Sequence, residues 1–373
     1  MSATCQQQPD CHLTGSGRIA TFDVAKGVAV LLMIMIHVLD FYALPEVRFG
    51  TFGATLKFAV GWPAASMFVF IMGLFVSYSG NSSLRQDLVR AAGLFALGYL
   101  LNLTRSTIPM WLSIEIGLVS YADVAPHTPV SELLIVDVFQ FAGLALVICA
   151  LLRHYVPQPG YWLLAALAVA LVSPMIWDTS SGNQLLDQGL KLFVGNQHQG
   201  AMFPLFPWLA YPLLGMVMGH WLRQRGDIHH GLQSCMYLGW VFMGAAALLI
   251  TTNPDYHVVD NMRSGPGLIL FFAGLIMVFL WICHVLVKRL PQHHPGLSVI
   301  RFWGERVTAM YLVQWLLIGW GLMLFGLQQM NLIQNLLAML GVLILSDLIV
   351  RGWYRLHKRR SKQQLLNAEV NLS

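Results

Sequence analysis

The sequence predicts an all-α, polytopic membrane bundle of about ten transmembrane helices with both termini in the cytoplasm. Three observations lead there. Hydrophobic residues make up 57% of the 373 and charged residues only 10%, against roughly 25% charged in an ordinary soluble domain. The apolar stretches are long and do not alternate, which excludes a membrane barrel and leaves helices as the way to satisfy the backbone in lipid. The basic residues are also distributed unevenly between alternate loops, as the positive-inside rule requires.

The elements follow in order. Residues 1–17 are polar and lack an apolar stretch after a charged start, so they read as a disordered tail rather than a signal peptide. A membrane domain is expected over 18–352, and a basic cytoplasmic tail over 353–373. Spans are expected at 22–43, 58–80, 88–105, 133–153, 160–177, 203–222, 231–251, 265–287, 305–326 and 332–351, each near the roughly 20 residues that cross a bilayer. The third is shortened by Arg90 and Asn102. Residues 106–131 read as a surface loop or a short interfacial helix. With the N-terminus inside and ten crossings, only Arg48, Lys57, Arg105, Lys191 and Arg263 of the 22 basic residues fall outside. Nine or eleven crossings would scramble this bias. The net charge of +5 therefore reports topology and not nucleic-acid binding.

The five cysteines, Cys5, Cys11, Cys149, Cys235 and Cys283, show no metal-ligand spacing, and no metal site is expected. The pair His293 and His294 reads as a loop. Asp347 and Arg351, four apart, read as a structural ion pair, and His284 and Lys288 as solvated residues near the inner surface. No internal repeat is visible, which withholds support from an inverted-repeat transporter.

Chemistry concentrates in the first helix, where Asp23, Lys26, His37 and Asp40 are ionisable and so costly inside a membrane. At about 100° and 1.5 Å per residue, Lys26 and His37 lie within about 20° of each other and about 16 Å apart along the axis. Asp23 and Asp40 sit three residues beyond each, so all four share an arc of about 100°. Gly27 and Ala29 flank this stripe and permit close approach of a helix or a ligand. Asp23 and Lys26 read either as a donor-binding pair or as a mouth ion pair. Asp40 is equally readable as a solvated residue. His37 lies deeper, above a lysine on the same face, and is the leading functional candidate.

The segment from Arg18 through Asp23, Lys26 and Gly27 to His37 resembles the first helix of the transmembrane acyltransferase superfamily, which includes acyltransferase type 3 and heparan-alpha-glucosaminide N-acetyltransferase-like proteins. The former have a basic residue, ten intervening residues and a histidine, as Lys26 and His37 do here. Trp62–Gly73 is similar to an element of the heparan-glucosaminide branch. So are Val136–Gly143, Phe203–Leu209 with Gly215 and Gly219, and Phe302–Tyr311. The position of Lys26 is more often arginine in relatives, and the lysosomal branch has asparagine where His37 stands.

The resemblance implies transfer of an acyl group, by default acetyl, from cytoplasmic acyl-CoA to a hydroxyl or amine of a glycan or small-molecule acceptor at the outer side. A bacterial cytoplasmic (inner) membrane is the expected location. Under that reading Arg18, Asp23 and Lys26, with Arg85 and Arg90, form the donor-binding set, and the pantetheine arm runs along a small-residue flank. His37 is the general base, with an acyl-histidine carrier or a satisfied core histidine as the alternatives, and Asp40 orients the imidazole or stabilises its charged form. Asn196 and His198, within the polar run 196–199, are candidates for acceptor binding, or form a surface loop. Tyr311 and Gln314 share a face of the ninth helix with Trp315 beside them; they line the cavity or make a helix-packing hydrogen bond. The rival functions are a proton-coupled transporter or flippase, and a non-catalytic sensing or scaffolding module.

Overall fold

The computed structural model describes residues 13–14, 18–58, 62–80, 82–177, 179–195, 200–258, 263–291 and 293–370. Side chains are described for these residues up to 358, except those of 13, 14, 18 and 62. Among these residues ten helices have 16 or more residues: α1 (Ala20–Tyr42), α2 (Trp62–Tyr78), α3 (Leu84–Asn102), α4 (Val138–Tyr155), α5 (Pro159–Ile176), α6 (Ala210–Arg225), α7 (Ile228–Thr252), α8 (Pro266–Arg289), α9 (Val307–Phe325) and α10 (Leu332–Val370). Each overlies one expected span. Seven of them, α1, α4, α5, α7, α8, α9 and α10, are long and apolar enough to cross a membrane unaided. The apolar part of α2 is shorter, at Pro63–Tyr78. α3 carries Arg85, Asp87 and Arg90 in its first two turns, and α6 ends in Arg223 and Arg225. The chain is an integral membrane protein with an all-helical body. The only strands among the described residues are the two-residue pair Leu13–Thr14 and Arg18–Ile19.

The helices start where the sequence supplies caps. Ser83 and Gln86 close a capping box at α3, and Asp137 with Gln140 does the same at α4. Segment 106–133 folds as three short helices, Ile108–Glu115, Tyr121–Val124 and Pro129–Leu133, so it is neither a plain loop nor one interfacial helix. α10 continues through the basic segment from 353 to Val370.

Packing is pairwise around a central α1. The pairs α7/α8, α2/α6 and α3/α4 are the most extensive, and α1 touches α2, α8, α9, α10 and the short helix Pro295–Glu305. That last crossing depends on missing side chains. A Cβ on Gly27 would collide with the carbonyl of Ile300, and one on Gly304 with the carbonyl of Asp23. The Gly27 flank is thus filled by protein backbone, not left for the pantetheine arm.

Apolar residues line the outside as well as the core. Ile333, Leu337, Leu340, Ile344 and Leu348 form an exposed stripe along α10, and Leu164, Leu167 and Leu171 do so on α5. In water such stripes would be aggregation sites; in lipid they are the solvated face.

Polar ties close the Asp23 end. Arg153 donates to the carboxylate of Asp87 at 2.7 Å and to the carbonyls of Val76 and Ser82. The expected pair Asp347–Arg351 forms at 2.7 Å, and Trp303 Nε1 also donates to Asp347. His284 departs from expectation. It is buried, 7% exposed, with Nδ1 at 3.0 Å from the Thr21 hydroxyl and Nε2 at 3.2 Å from His229 Nδ1, because α7, α8 and the start of α1 converge there.

Candidate active site

The polar cluster lies at the opposite end of α1, where five elements meet. α1 brings His37. Its last turns are pinned by Asn335 Nδ2 donating to the Val38 carbonyl at 3.1 Å, and by the Tyr42 hydroxyl donating to the Ile318 carbonyl at 2.8 Å. α9 brings Tyr311, Gln314 and Trp315, one turn of which faces α1. The side-chain amide of Gln314 meets His37 Nδ1 at 3.5 Å, the long end of hydrogen bonding. The imidazole lies 4.2 Å, centroid to centroid, from the Trp315 indole.

The other two contributors flank that face. After α3 the chain winds into a π-helical turn, Leu103–Thr107. Such turns recur at functional sites because the extra residue re-aims a side chain. Here the turn directs Arg105 inward, leaving it 5% exposed. The turn can approach α9 because residue 319 is glycine: a Cβ there would strike the carbonyl of Arg105. At the start of α4, Asp137 accepts the Val138 N–H at 2.7 Å through Oδ1. Its Oδ2 accepts from Arg105 Nη2 at 2.6 Å.

One atom of Arg105 therefore makes its ion pair. The same Nη2 also donates to Asn102 Oδ1 at 3.1 Å, and the guanidinium lies 4.0 Å above the Trp315 ring. Nε and Nη1 are buried with no hydrogen-bond partner, as is Gln314 Oε1. An unsatisfied buried donor or acceptor costs about 1–3 kcal/mol, so three together are unusual for a merely structural network. Asn102 spends its amide on the carbonyls of Leu133 and Ile135 at 3.1 and 2.7 Å, fixing the loop that delivers Asp137. The Tyr311 hydroxyl stands 3.4 Å from both Asp137 oxygens.

The expected residues are distributed as follows. His37, Tyr311 and Gln314 come together. Asp40, one turn beyond His37, binds Arg48 Nε at 2.9 Å and Lys57 Nζ at 3.0 Å through Oδ1. The expected orienting bond from Asp40 to the imidazole is replaced by the contact with Gln314. At the other end of α1, Asp23 and Lys26 pair at 2.7 Å, with Asp23 buried and Lys26 5.6 Å from the centre of the Phe75 ring. Arg85 is exposed. The Arg90 side chain, 67% exposed, reaches Asp87 only loosely at 3.6 Å. Asn196 and His198 lie outside the described residues, and so does the Arg18 side chain.

Arg105 and Asp137 were not singled out by sequence reasoning. Arg105 counts there as one of five outer basic residues. Its signal is its spacing: Asn102 and Arg105, three apart, close an apolar stretch and so share a helix face. Asp137 is visible as the first residue of an Asp-x-x-Gln cap preceding an apolar run.

Among the described residues no group of three or more metal-ligating side chains comes together. The cluster pairs an imidazole with buried N–H donors and a carbonyl acceptor, the parts list of acyl transfer. Comparison with curated proteins finds no match. Residues 18–252, more than half of the chain, match the catalytic domain of heparan-alpha-glucosaminide N-acetyltransferase, and the chain belongs to that family of membrane acetyltransferases.

Proposed function

We propose that the protein moves an acetyl group from cytoplasmic acetyl-CoA to an amine or hydroxyl of a glycan or small-molecule acceptor at the outer side of a bacterial inner membrane. The observation that carries this reading is His37, inside the bundle and held between Gln314 and Trp315. A neutral imidazole is suited to taking a proton from an attacking amine or hydroxyl. In this reading His37 is the general base, packed on Trp315 with the Gln314 amide 3.5 Å from its Nδ1. Asp40 fixes the outer mouth through Arg48 and Lys57.

Donor binding belongs to the other end of α1. Phosphate groups call for cationic side chains. Arg85 and Arg90 are exposed there. Lys26 is held in place by Asp23. Arg18 begins the same segment. The thioester then reaches His37 along the roughly 16 Å that separate the two ends of the stripe.

The test uses purified protein in lipid nanodiscs with radiolabelled acetyl-CoA and a panel of amino sugars and polyols. His37→Ala and His37→Gln are expected to lower turnover by about 10²- to 10⁴-fold while CoA binding, read by calorimetry, persists. A folded wild-type protein that neither binds CoA nor turns over the thioester would sink the proposal and favour proton-coupled transport.

A further inference from the structure

Resting on the acetyl-transfer reading above, the geometry points to Arg105 as a catalytic residue that donates hydrogen bonds to the carbonyl oxygen of the transferring acetyl group. A guanidinium has five N–H donors in a fixed planar fork. Arg105 spends only the Nη2 edge on protein, on Asp137 Oδ2 and Asn102 Oδ1. The Nε and Nη1 donors are buried without partners. A structural ion pair would satisfy the fork more fully. The neighbouring atoms are equally selective. Trp315 contacts both the Arg105 guanidinium and the His37 ring, so donor and base share one aromatic wall. Gln314, which touches His37, has an unpartnered Oε1. The site thus offers two unpartnered donor nitrogens, on different sides of the guanidinium, for an oxygen that gains charge, and one free carbonyl oxygen for a further N–H or O–H of the acceptor.

The acceptor nitrogen or oxygen, with another N–H or O–H of the acceptor held by Gln314 Oε1, forms a bond to the acetyl carbonyl carbon. The carbonyl π pair moves onto oxygen, where an unpartnered N–H of Arg105, on Nε or on Nη1, stabilises it. His37 takes the acceptor's proton. Return of the oxygen pair re-forms the carbonyl and breaks the carbon–sulfur bond, and the proton held by His37 passes to the departing CoA thiolate. Products are the acetylated acceptor and CoA thiol. No other reactant is needed. Charge-stabilising donors of this kind are preorganised in a dry site, and each is worth a large rate factor.

Arg105→Lys tests the assignment, because lysine keeps the charge opposite Asp137 but lacks the fork. In nanodiscs its kcat is expected to fall about 10²- to 10³-fold, with KM for acetyl-CoA and CoA binding unchanged. Arg105→Ala is expected to regain part of its kcat when guanidinium ion is added. An Arg105→Lys protein with wild-type kcat, or one whose loss lies entirely in KM, would overturn the assignment while leaving acetyl transfer intact. Absence of guanidinium rescue in a folded Arg105→Ala protein would also count against it. Wild-type protein that releases no CoA would instead overturn the acetyl-transfer reading itself, and the role of Arg105 with it.

Discussion

At the scale of single residues, the site separates groups that hold charge from groups that tune it. Asp137 does three things: it caps α4, neutralises Arg105 and stands near Tyr311. These roles come apart in substitution. Asn is as good an N-cap as Asp, so Asp137→Asn preserves the start of α4 but leaves the Arg105 charge buried without its counter-ion. Breaking a buried pair from one side costs about 3–5 kcal/mol. Tyr311→Phe removes a hydroxyl whose contacts to Asp137 are 3.4 Å long and is expected to cost under about 1 kcal/mol. Apparent melting temperatures in nanodiscs should therefore rank wild type near Tyr311→Phe and well above Asp137→Asn. Equal losses in the two variants would mean that the ion pair is not what holds α3, α4 and α9 together. The sequence disclosed His37, Tyr311 and Gln314 because each is a polar residue within an apolar helix. Arg105 was hidden because it sits at a helix end, where a basic residue normally marks a membrane surface.

The element that decides the site is the π-turn Leu103–Thr107. The ten long helices were legible because a run of about 20 apolar residues is a strong, local signal. The π-turn was not, because Leu-Thr-Arg-Ser-Thr carries no spacing that distinguishes it from an α-helical end. It exists through contact with α9, which approaches at Gly319, and tertiary contact is invisible in a single chain. Gly319→Leu is accordingly expected to push α9 from the Arg105 backbone and to lower acetyl transfer by at least the roughly tenfold that 1.4 kcal/mol of misplacement represents. Gly244→Leu, on α7 where a Cβ would meet nothing within 4 Å, should leave transfer unchanged. Both proteins would be compared by CoA release at equal folded yield, and matching activities would show that the π-turn tolerates displacement. The same logic explains His284. Its spacing from Lys288 suggested a solvated face, and only the convergence of α1, α7 and α8 buries it.

For the molecule as a whole, the question is which end of α1 faces the cytoplasm, since the two ends carry different chemistry. Lys26, Arg85 and Arg90 lie at one end, and His37 with the Arg105 cluster lies toward the other. On the positive-inside rule the first end is expected inside, where the proposed acetyl-CoA donor would be found, and residues 106–131 outside. Single cysteines can read this directly. Cys149, Cys235 and Cys283 are buried, so they should stay silent toward a membrane-impermeant maleimide once Cys5 and Cys11 are replaced by serine. On that background Ser120→Cys and His293→Cys each place a thiol at an exposed position. Ser120→Cys is expected to label in intact cells, and His293→Cys only after permeabilisation. Labelling of both from one side would mean that an odd number of the five helices α4 to α8 fails to cross, the short α6 being the first suspect. A fully reversed pattern would be more consequential, because it would put the donor mouth away from the acetyl-CoA pool and require the acetyl group to travel inward, toward the face where Asp23 and Lys26 already neutralise each other.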